Sequence, residues 1–167
     1  MQFNKSLLSE FLHEAENTRK LLQAVPMHQA DWKPHEKSMS IGELAIHIAD
    51  LPSWLLITLD KEELDFAKEA PAQKNARNTE ELLAIHDAAI EQAKISLTAA
   101  EDNQRFMETW TMRNGEQIFM TIRKIGAIRG WVFNHVYHHR GQLTVYLRLL
   151  NIPVPGMYGP TADERSM

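Results

Sequence analysis

The sequence predicts an all-α fold, and three observations support this prediction. Four segments repeat apolar residues at the spacing that places them on one face of a helix. Ser40 and Glu43 have the arrangement of a capping box, in which each side chain satisfies a free backbone N–H group at a helix start. Prolines interrupt or close the helical patterns at Pro26, at Pro52 and in residues 153–156. These signals together divide the chain into four helices.

The first predicted helix covers residues 4–24, and the second begins at Ser40. Pro52 lies inside the second helix and removes a backbone hydrogen bond, which predicts a kink or a break. Residues 60–78 are highly charged and predict a frayed helix end that leads into a solvated loop. The third helix is predicted from residue 78 or 79 to residue 99, and the last and longest helix covers residues 122–150.

Residues 105–122 depart from the helical pattern. They combine aromatic and β-branched residues around Asn114-Gly115, a dipeptide that tolerates the backbone angles of a tight turn. We therefore expect a short β-hairpin or an extended excursion before the last helix. The aromatic residues around this hairpin favour a homodimer.

Length and composition limit the function classes. A chain of 167 residues suits one domain, which we predict to cover residues 1–167. The net charge of -4, with no separate cluster of lysine and arginine, argues against a nucleic-acid partner. The sequence has no cysteine, which excludes disulfides, thiolate metal ligands and a cysteine nucleophile.

No apolar run approaches the length of about 18 residues needed to span a bilayer, so no membrane association is predicted. Polar residues also interrupt the N-terminal segment, unlike the apolar region of a secretory signal. A cytoplasmic location is therefore expected.

Three histidines form the candidate site. His135 and His139 are four residues apart on the last predicted helix, so both rings project from one face and can share a metal ion. The buried stripe expected for that helix also includes Ile128, Val132, Gln142, Tyr146 and Leu149. His47 lies on the inward stripe of the second helix, and facing helices of a bundle commonly supply ligands to one metal. Three imidazoles leave a fourth coordination position for water or substrate, as in catalytic zinc sites.

Other interpretations of these residues remain open. A histidine on an apolar helix face is more often hydrogen-bonded within a core than bound to metal. His138 is a possible substitute ligand, and His86 is a less favoured third ligand. Asp50 either orients a ligand imidazole or faces solvent, with solvent favoured. The histidines that we expect to be solvated are His13, His28 and His35.

The sequence resembles the DinB-like superfamily, which includes YfiT-like proteins. The resemblance rests on Trp32-Lys-Pro34, on Ser40-Ile-Gly-Glu-Leu-Ala-Ile-His47-Ile-Ala and on Asn134-His135-Val-Tyr-His138-His139-Arg-Gly-Gln-Leu143. It implies a four-helix bundle with one metal ion, usually zinc or nickel. Carried over to this chain, the implied ligands are His47, His135 and His139.

The resemblance also implies a chemistry. Similar proteins are metal-dependent transferases of low-molecular-weight thiols such as bacillithiol, mycothiol or glutathione, and one related group isomerises maleylpyruvate with mycothiol. A metal-held thiol loses its proton readily, which gives a nucleophile that a cysteine-free chain lacks. The expected partner is accordingly a small-molecule substrate.

Two alternatives stay open at this point: a metal-dependent hydrolase, and a non-catalytic metal-binding or dimerising stress-response bundle. The sequence assigns no catalytic or cofactor-binding residue and no general base. Four residues lie near the helical histidine pair without an assigned role: Tyr137, Arg140, Gln142 and Tyr146.

Overall fold

A computed structural model describes residues 2–69 and 72–164, which are mostly helical with one small three-stranded sheet. The helices are α1 (Phe3–Gln23), α2 (Ile41–Asp50), α3 (Ser53–Asp60), α4 (Thr79–Ala99), α5 (Asn103–Met107), α6 (Lys124–Ala127) and α7 (His135–Leu149). A 3-10 turn (Met27–Gln29) follows α1, and a π-helical turn (Ile128–Asn134) joins α6 to α7. The strands are β1 (Glu63–Asp65), β2 (Thr109–Asn114) and β3 (Gln117–Arg123).

The prediction of four helices was wrong in number, because the described residues form seven α-helices. The second predicted helix is divided into α2 and α3, which meet at an angle of 40° around Pro52. The break follows from the missing N–H group of proline, as the sequence predicted. The short helix α5 is additional, and the last predicted helix contains three segments: α6, the π-helical turn and α7.

The helices pack around a shared apolar core. Helix α4 lies against α1, α2 and α3, and α7 lies against α1 and α2. The core beside α7 is formed by fully buried leucine and isoleucine residues from four helices: Leu21, Leu22, Leu44, Ile48, Leu82, Leu143 and Leu147. Burial of such side chains stabilises a fold by about 1.5–3 kcal/mol each. This core fixes α2 beside α7.

The start of α2 is held by two local devices. The predicted capping box is confirmed: Ser40 Oγ accepts a hydrogen bond from the Glu43 backbone N–H at 3.2 Å, and Glu43 Oε2 accepts one from the Ser40 backbone N–H at 2.6 Å. The Gly42 N–H donates to the Ala30 carbonyl at 2.9 Å. A Cβ atom at Gly42 would lie 2.7 Å from Ala30 Cβ, so this close approach requires glycine. The preceding loop therefore sets the position of α2.

The predicted hairpin is confirmed. Strands β2 and β3 pair antiparallel, with Asn114 opposite Gln117 at the closed end. Gly115 follows with a φ of +59°, a left-handed backbone conformation that glycine adopts without strain. The turn therefore lies at the Asn114-Gly115 dipeptide from which it was predicted.

The prediction for residues 60–78 was wrong in part, because β1 forms there and pairs parallel with β2. Leu64 of β1 is buried in the small core under the sheet. The Asp65 carboxylate accepts hydrogen bonds from the backbone N–H groups of Gly115 (2.8 Å) and Ala67 (3.0 Å). The short, mostly charged segment gives no strand pattern in the sequence, and the strand β2 that it pairs with lies far away in the chain. The strand was therefore not predicted. Residues 70 and 71 of the predicted loop lie outside the described residues.

No single helix in residues 2–69 and 72–164 has both the length and the apolar character needed to cross a membrane; only α2 and α3 taken together meet that criterion, and they are bent at their junction.

A buried arginine connects α7 to α1 and to the C-terminal segment. Arg140 is 2% exposed, and its guanidinium donates hydrogen bonds to the Glu14 carboxylate and backbone carbonyl, to Thr18 Oγ1 and to the Tyr158 hydroxyl. The guanidinium carbon also lies 5.0 Å from the centre of the Tyr137 ring. This cation holds α7 against α1. Its removal leaves the Glu14 carboxylate without its buried cation, with the Tyr158 hydroxyl as a remaining donor at 2.7 Å.

We expect Arg140→Leu to lower the free energy of unfolding by about 3 kcal/mol, because it leaves a poorly solvated carboxylate unpaired. Urea unfolding monitored by circular dichroism measures this change. The matched control is Arg19→Leu, which removes the exposed ion pair with Asp87 and should cost at most about 1 kcal/mol. Equal losses in the two variants would contradict a structural role for the buried arginine.

Candidate functional site

Three histidine rings converge between α2 and α7. His47 comes from α2, His135 is the first residue of α7 and His139 follows one turn later. Nε2 of His47 lies 3.3 Å from Nε2 of His135, and one ring nitrogen from each of the three residues lies within 4.8 Å of the others. The structure thus brings together the three histidines that the sequence predicted.

The donor set fits a divalent metal ion. Two nitrogens that bind one tetrahedral zinc ion at about 2.0–2.1 Å are separated by about 3.3 Å, and the two Nε2 atoms of His47 and His135 lie 3.3 Å apart. Nδ1 of His135 is buried and has no hydrogen-bond partner of acceptable geometry. The same separation also suits a hydrogen bond between two neutral rings. These three residues could hold a metal ion.

Gln142 orients the third ring. Its Oε1 atom lies 2.7 Å from Nδ1 of His139. An amide oxygen only accepts hydrogen bonds, so the proton belongs on Nδ1 and the lone pair on Nε2. The sequence placed Gln142 near the histidine pair without a role, although its position three residues after His139 puts the two side chains on one helix face.

The surroundings keep the three imidazoles neutral. Burial lowers the pKa of His47 to about 4, and the neighbouring His139 and His135 add to this shift. Burial also lowers the pKa of His135, where the Trp131 carbonyl opposes the shift. Burial likewise lowers the pKa of His139, where the hydrogen bond to Gln142 opposes it. Neutral imidazole is the form that binds metal, so the cluster is ready for coordination at neutral pH.

The remaining histidines do not join the cluster. His138 is exposed, although its ring centre lies 5.0 Å from that of His139. His86 is buried in α4, with Nδ1 3.1 Å from the Asp87 carboxylate. Three histidines are exposed, as predicted: His13, His28 and His35. Within the described residues, only His47, His135 and His139 form such a group.

The predicted inward stripe of the last helix was partly wrong. It included Gln142, Tyr146 and Leu149, but Leu149 is 57% exposed and the other two are half-buried. The residues of α7 that are buried are Val136, His139, Arg140, Leu143 and Leu147. The prediction assumed one uniform helical period, whereas the π-helical turn before His135 changes the angle between residues on its two sides. His135 and His139 consequently lie at the margin of the buried face.

An open cleft of about 380 Å³ adjoins His47. Its lining includes Trp54, Asp50 and Lys74. Burial raises the pKa of Asp50, while Lys74 and a hydrogen bond with Ser53 oppose the shift. Asp50 thus faces this open cleft. The hydrogen bond that orients a ring of the histidine cluster comes from Gln142.

The sequence matches the model of a known protein family. The family model described as the DinB family matches residues 1–166, so the chain belongs to the DinB family. The family resemblance noted in the sequence is therefore confirmed. A curated relative, the uncharacterized protein YrdA of Bacillus subtilis strain 168, is 44% identical over 39 residues, which is 23% of this chain and 23% of that protein.

Solved structures show the same fold. The crystal structure of a DinB-like protein from Bacillus cereus ATCC 10987 has a TM-score of 0.70 and 19% identity, and the match covers 92% of this chain and 97% of that one. The DinB-like protein YjoA of Bacillus subtilis has a TM-score of 0.68 and 18% identity, with 91% of this chain and 96% of that one covered. At these identities the likeness concerns the fold alone.

Acidification should destabilise the metal-free protein through the cluster. Above a pH of about 6.5, the pKa of an unfolded imidazole, His47 is neutral in both the folded and the unfolded protein, so its protonation does not change the free energy of unfolding. As the pH falls from there towards the folded pKa of about 4, the unfolded chain binds a proton that the folded chain does not. We expect urea unfolding to show a loss on the order of 2 kcal/mol from this residue, which His47→Gln should lack.

The control for this measurement is His138→Gln, which removes an exposed ring next to the cluster. It should follow the wild-type pH profile, because it leaves the half-buried ring of His47 in place. The same pH profile in wild type and in His47→Gln would show that burial of this ring does not suppress its protonation.

Proposed function

We propose that this DinB family protein binds one divalent metal ion, zinc or nickel, through His47, His135 and His139. We further propose that it is a transferase that joins a low-molecular-weight thiol to a small molecule. The observation that supports this function best is the convergence of three neutral imidazoles beside an open cleft. A site with three protein nitrogens leaves a position for an exogenous ligand.

When bound, the metal would stabilise the thiolate of the co-substrate at neutral pH. The chain's own residues have separate tasks in this proposal. The three imidazoles supply neutral donors, and Gln142 holds the His139 ring in the tautomer that directs Nε2 to the site. The cleft beside His47, at about 380 Å³, has the size of a small-molecule site. The chain has no cysteine, so the nucleophilic sulfur must come from the co-substrate.

A metal-dependent hydrolase is the second candidate. The observation that favours it is the half-buried Asp50 carboxyl group, which lines the same cleft as His47 and has a raised pKa. A carboxylate in that position can accept a proton from an attacking water. A non-catalytic metal-binding or stress-response role uses the same three histidines without turnover, and the experiments below distinguish it.

The homodimer and the cytoplasmic location belong to this proposal as well. Ile118 and Phe119 on the edge strand β3 are 58% and 50% exposed, and an apolar edge strand favours contact with a second chain. Sedimentation velocity would show a single monomeric species if this contact does not form. A cytoplasmic location is supported by the proposed co-substrate, because that compartment keeps small thiols reduced.

We expect untagged protein loaded with zinc and freed of excess ion to retain about one equivalent by elemental analysis. His47→Ala and His139→Ala should each weaken zinc binding by at least about 100-fold, because changes in the outer shell alone weaken it by 10–100-fold. Competition with a chromophoric chelator measures these affinities. Unchanged zinc affinity in both variants would refute the ligand assignment.

Two matched variants complete this experiment. His138→Ala removes a neighbouring but exposed ring and should retain the wild-type affinity. Gln142→Leu removes the acceptor for His139 Nδ1 and should weaken binding by about 10–100-fold. Gln142→Glu keeps an acceptor there and should bind zinc at least as well as wild type.

The thiol reaction is tested with bacillithiol, glutathione or coenzyme A against a chlorinated nitroarene and an epoxide. With the chloroarene, a sulfur–carbon bond forms, chloride leaves with its electron pair and the thiol proton passes to solvent. We expect metal-loaded wild type and His138→Ala to accelerate at least one thiol and acceptor pair, and His139→Ala to fall to the uncatalysed rate. No acceleration with any pair, in protein that retains its metal, would favour the non-catalytic role.

A further inference from the structure

A row of aromatic rings extends from the histidine cluster to Trp54, which lines the cleft beside His47. The indole of Trp131 meets the His135 ring edge-to-face, with 5.9 Å between ring centres. Trp54 lies nearly parallel to Trp131, at 12° and 6.4 Å, and Phe66 follows at 6.4 Å from Trp54. We call Trp54, Phe66 and Trp131 the aromatic wall. Three separate parts of the chain contribute to it, so no sequence pattern announces it.

The aromatic wall is partly open to solvent. Its three residues are each half-buried, whereas Trp110 in the adjacent small core is fully buried. Trp54 lines the same cleft as His47. An aromatic ring that keeps part of its surface exposed beside a cleft has area available for a ligand. Trp54 therefore places one ring of the wall where it can contact a molecule bound in the cleft beside His47.

The charged groups that line the cleft have opposite charges near them. The charge of Lys74 lowers the pKa of Asp50, and Glu43 Oε2 lies 3.8 Å from Lys33 Nζ. Among the described lining residues, each cation or anion of the cleft thus has an opposite charge nearby. A charged ligand would have to replace the opposite charge that already lies near one of these groups, but an uncharged planar ligand would not. The cleft therefore favours a neutral ligand over an anion or a cation.

We propose that the aromatic wall binds the planar part of the acceptor, and that the acceptor class of this protein is a neutral aromatic electrophile. This inference rests on the proposed transferase function in one respect: the bound arene is an acceptor only if the protein transfers a thiol to it. The binding of an arene depends on the wall alone. A ligand stacked on the cleft side of Trp54 would lie beside the histidine cluster, because His47 lines the same cleft.

The probe is nitrobenzene, compared with nitrocyclohexane, which has the same polar group on a ring that is not planar. Titration of zinc-loaded wild-type protein, followed by tryptophan fluorescence and by calorimetry, should show tighter binding of nitrobenzene. Trp54→Leu should weaken nitrobenzene binding about tenfold, and Trp54→Phe should weaken it less, because it keeps an aromatic face. Trp32→Phe, which changes a ring that packs on Tyr146, should leave binding unchanged.

The same titrations on metal-free protein separate this inference from the proposed function. Arene binding that depends on Trp54 in protein that holds no zinc supports the wall even if the metal assignment fails. Equal affinity in wild type, Trp54→Leu and Trp54→Phe would overturn the inference even if zinc is retained. No binding of nitrobenzene by wild type, or equal binding of nitrocyclohexane, would also overturn it. Zinc content measured for each variant verifies that the tryptophan changes leave the cluster intact.

Discussion

The contact between α2 and α7 is the constraint on which the candidate site depends. Leu44 and Ile48 of α2 and Leu143 and Leu147 of α7 share one fully buried core. His47 lies between the two α2 residues in sequence, so burial of its apolar neighbours also brings its ring to those of α7. The hydrophobic contribution of these four side chains, about 1.5–3 kcal/mol each, outweighs the cost of partly desolvating three imidazoles.

This packing produces an asymmetric site. Inside the bundle, Gln142 orients the His139 ring, while the cleft beside His47 stays open. Burial on one side lowers the histidine pKa values, and so favours the neutral form that coordinates metal. The open side holds the Trp54 ring of the aromatic wall and the opposite charges of Asp50 and Lys74. The proposed metal binding and the proposed ligand selection thus use different faces of the same histidine cluster.

Much of this architecture could be predicted because it follows from local chemistry. The capping box at Ser40, the break at Pro52 and the hairpin at Gly115 each involve residues close in sequence, and each was confirmed. Strand β1 could not be predicted, because three residues with charged ends form a strand only beside β2. The π-helical turn was missed for a related reason: apolar spacing was interpreted with a single period, which then assigned Leu149 to the wrong face.

The sequence by itself determined the residues that form the candidate site, since His135 and His139 share a helix face and His47 lies on an amphipathic stripe. Only the tertiary structure decided that their nitrogens meet, that Gln142 orients one ring and that Trp131 packs on His135. It also decided that Trp54 and Phe66 continue this row of rings. Helical periodicity fixes angles within one helix, where neighbours are three or four residues apart. Contacts between helices depend on how all the apolar faces pack together, and no local pattern specifies that arrangement.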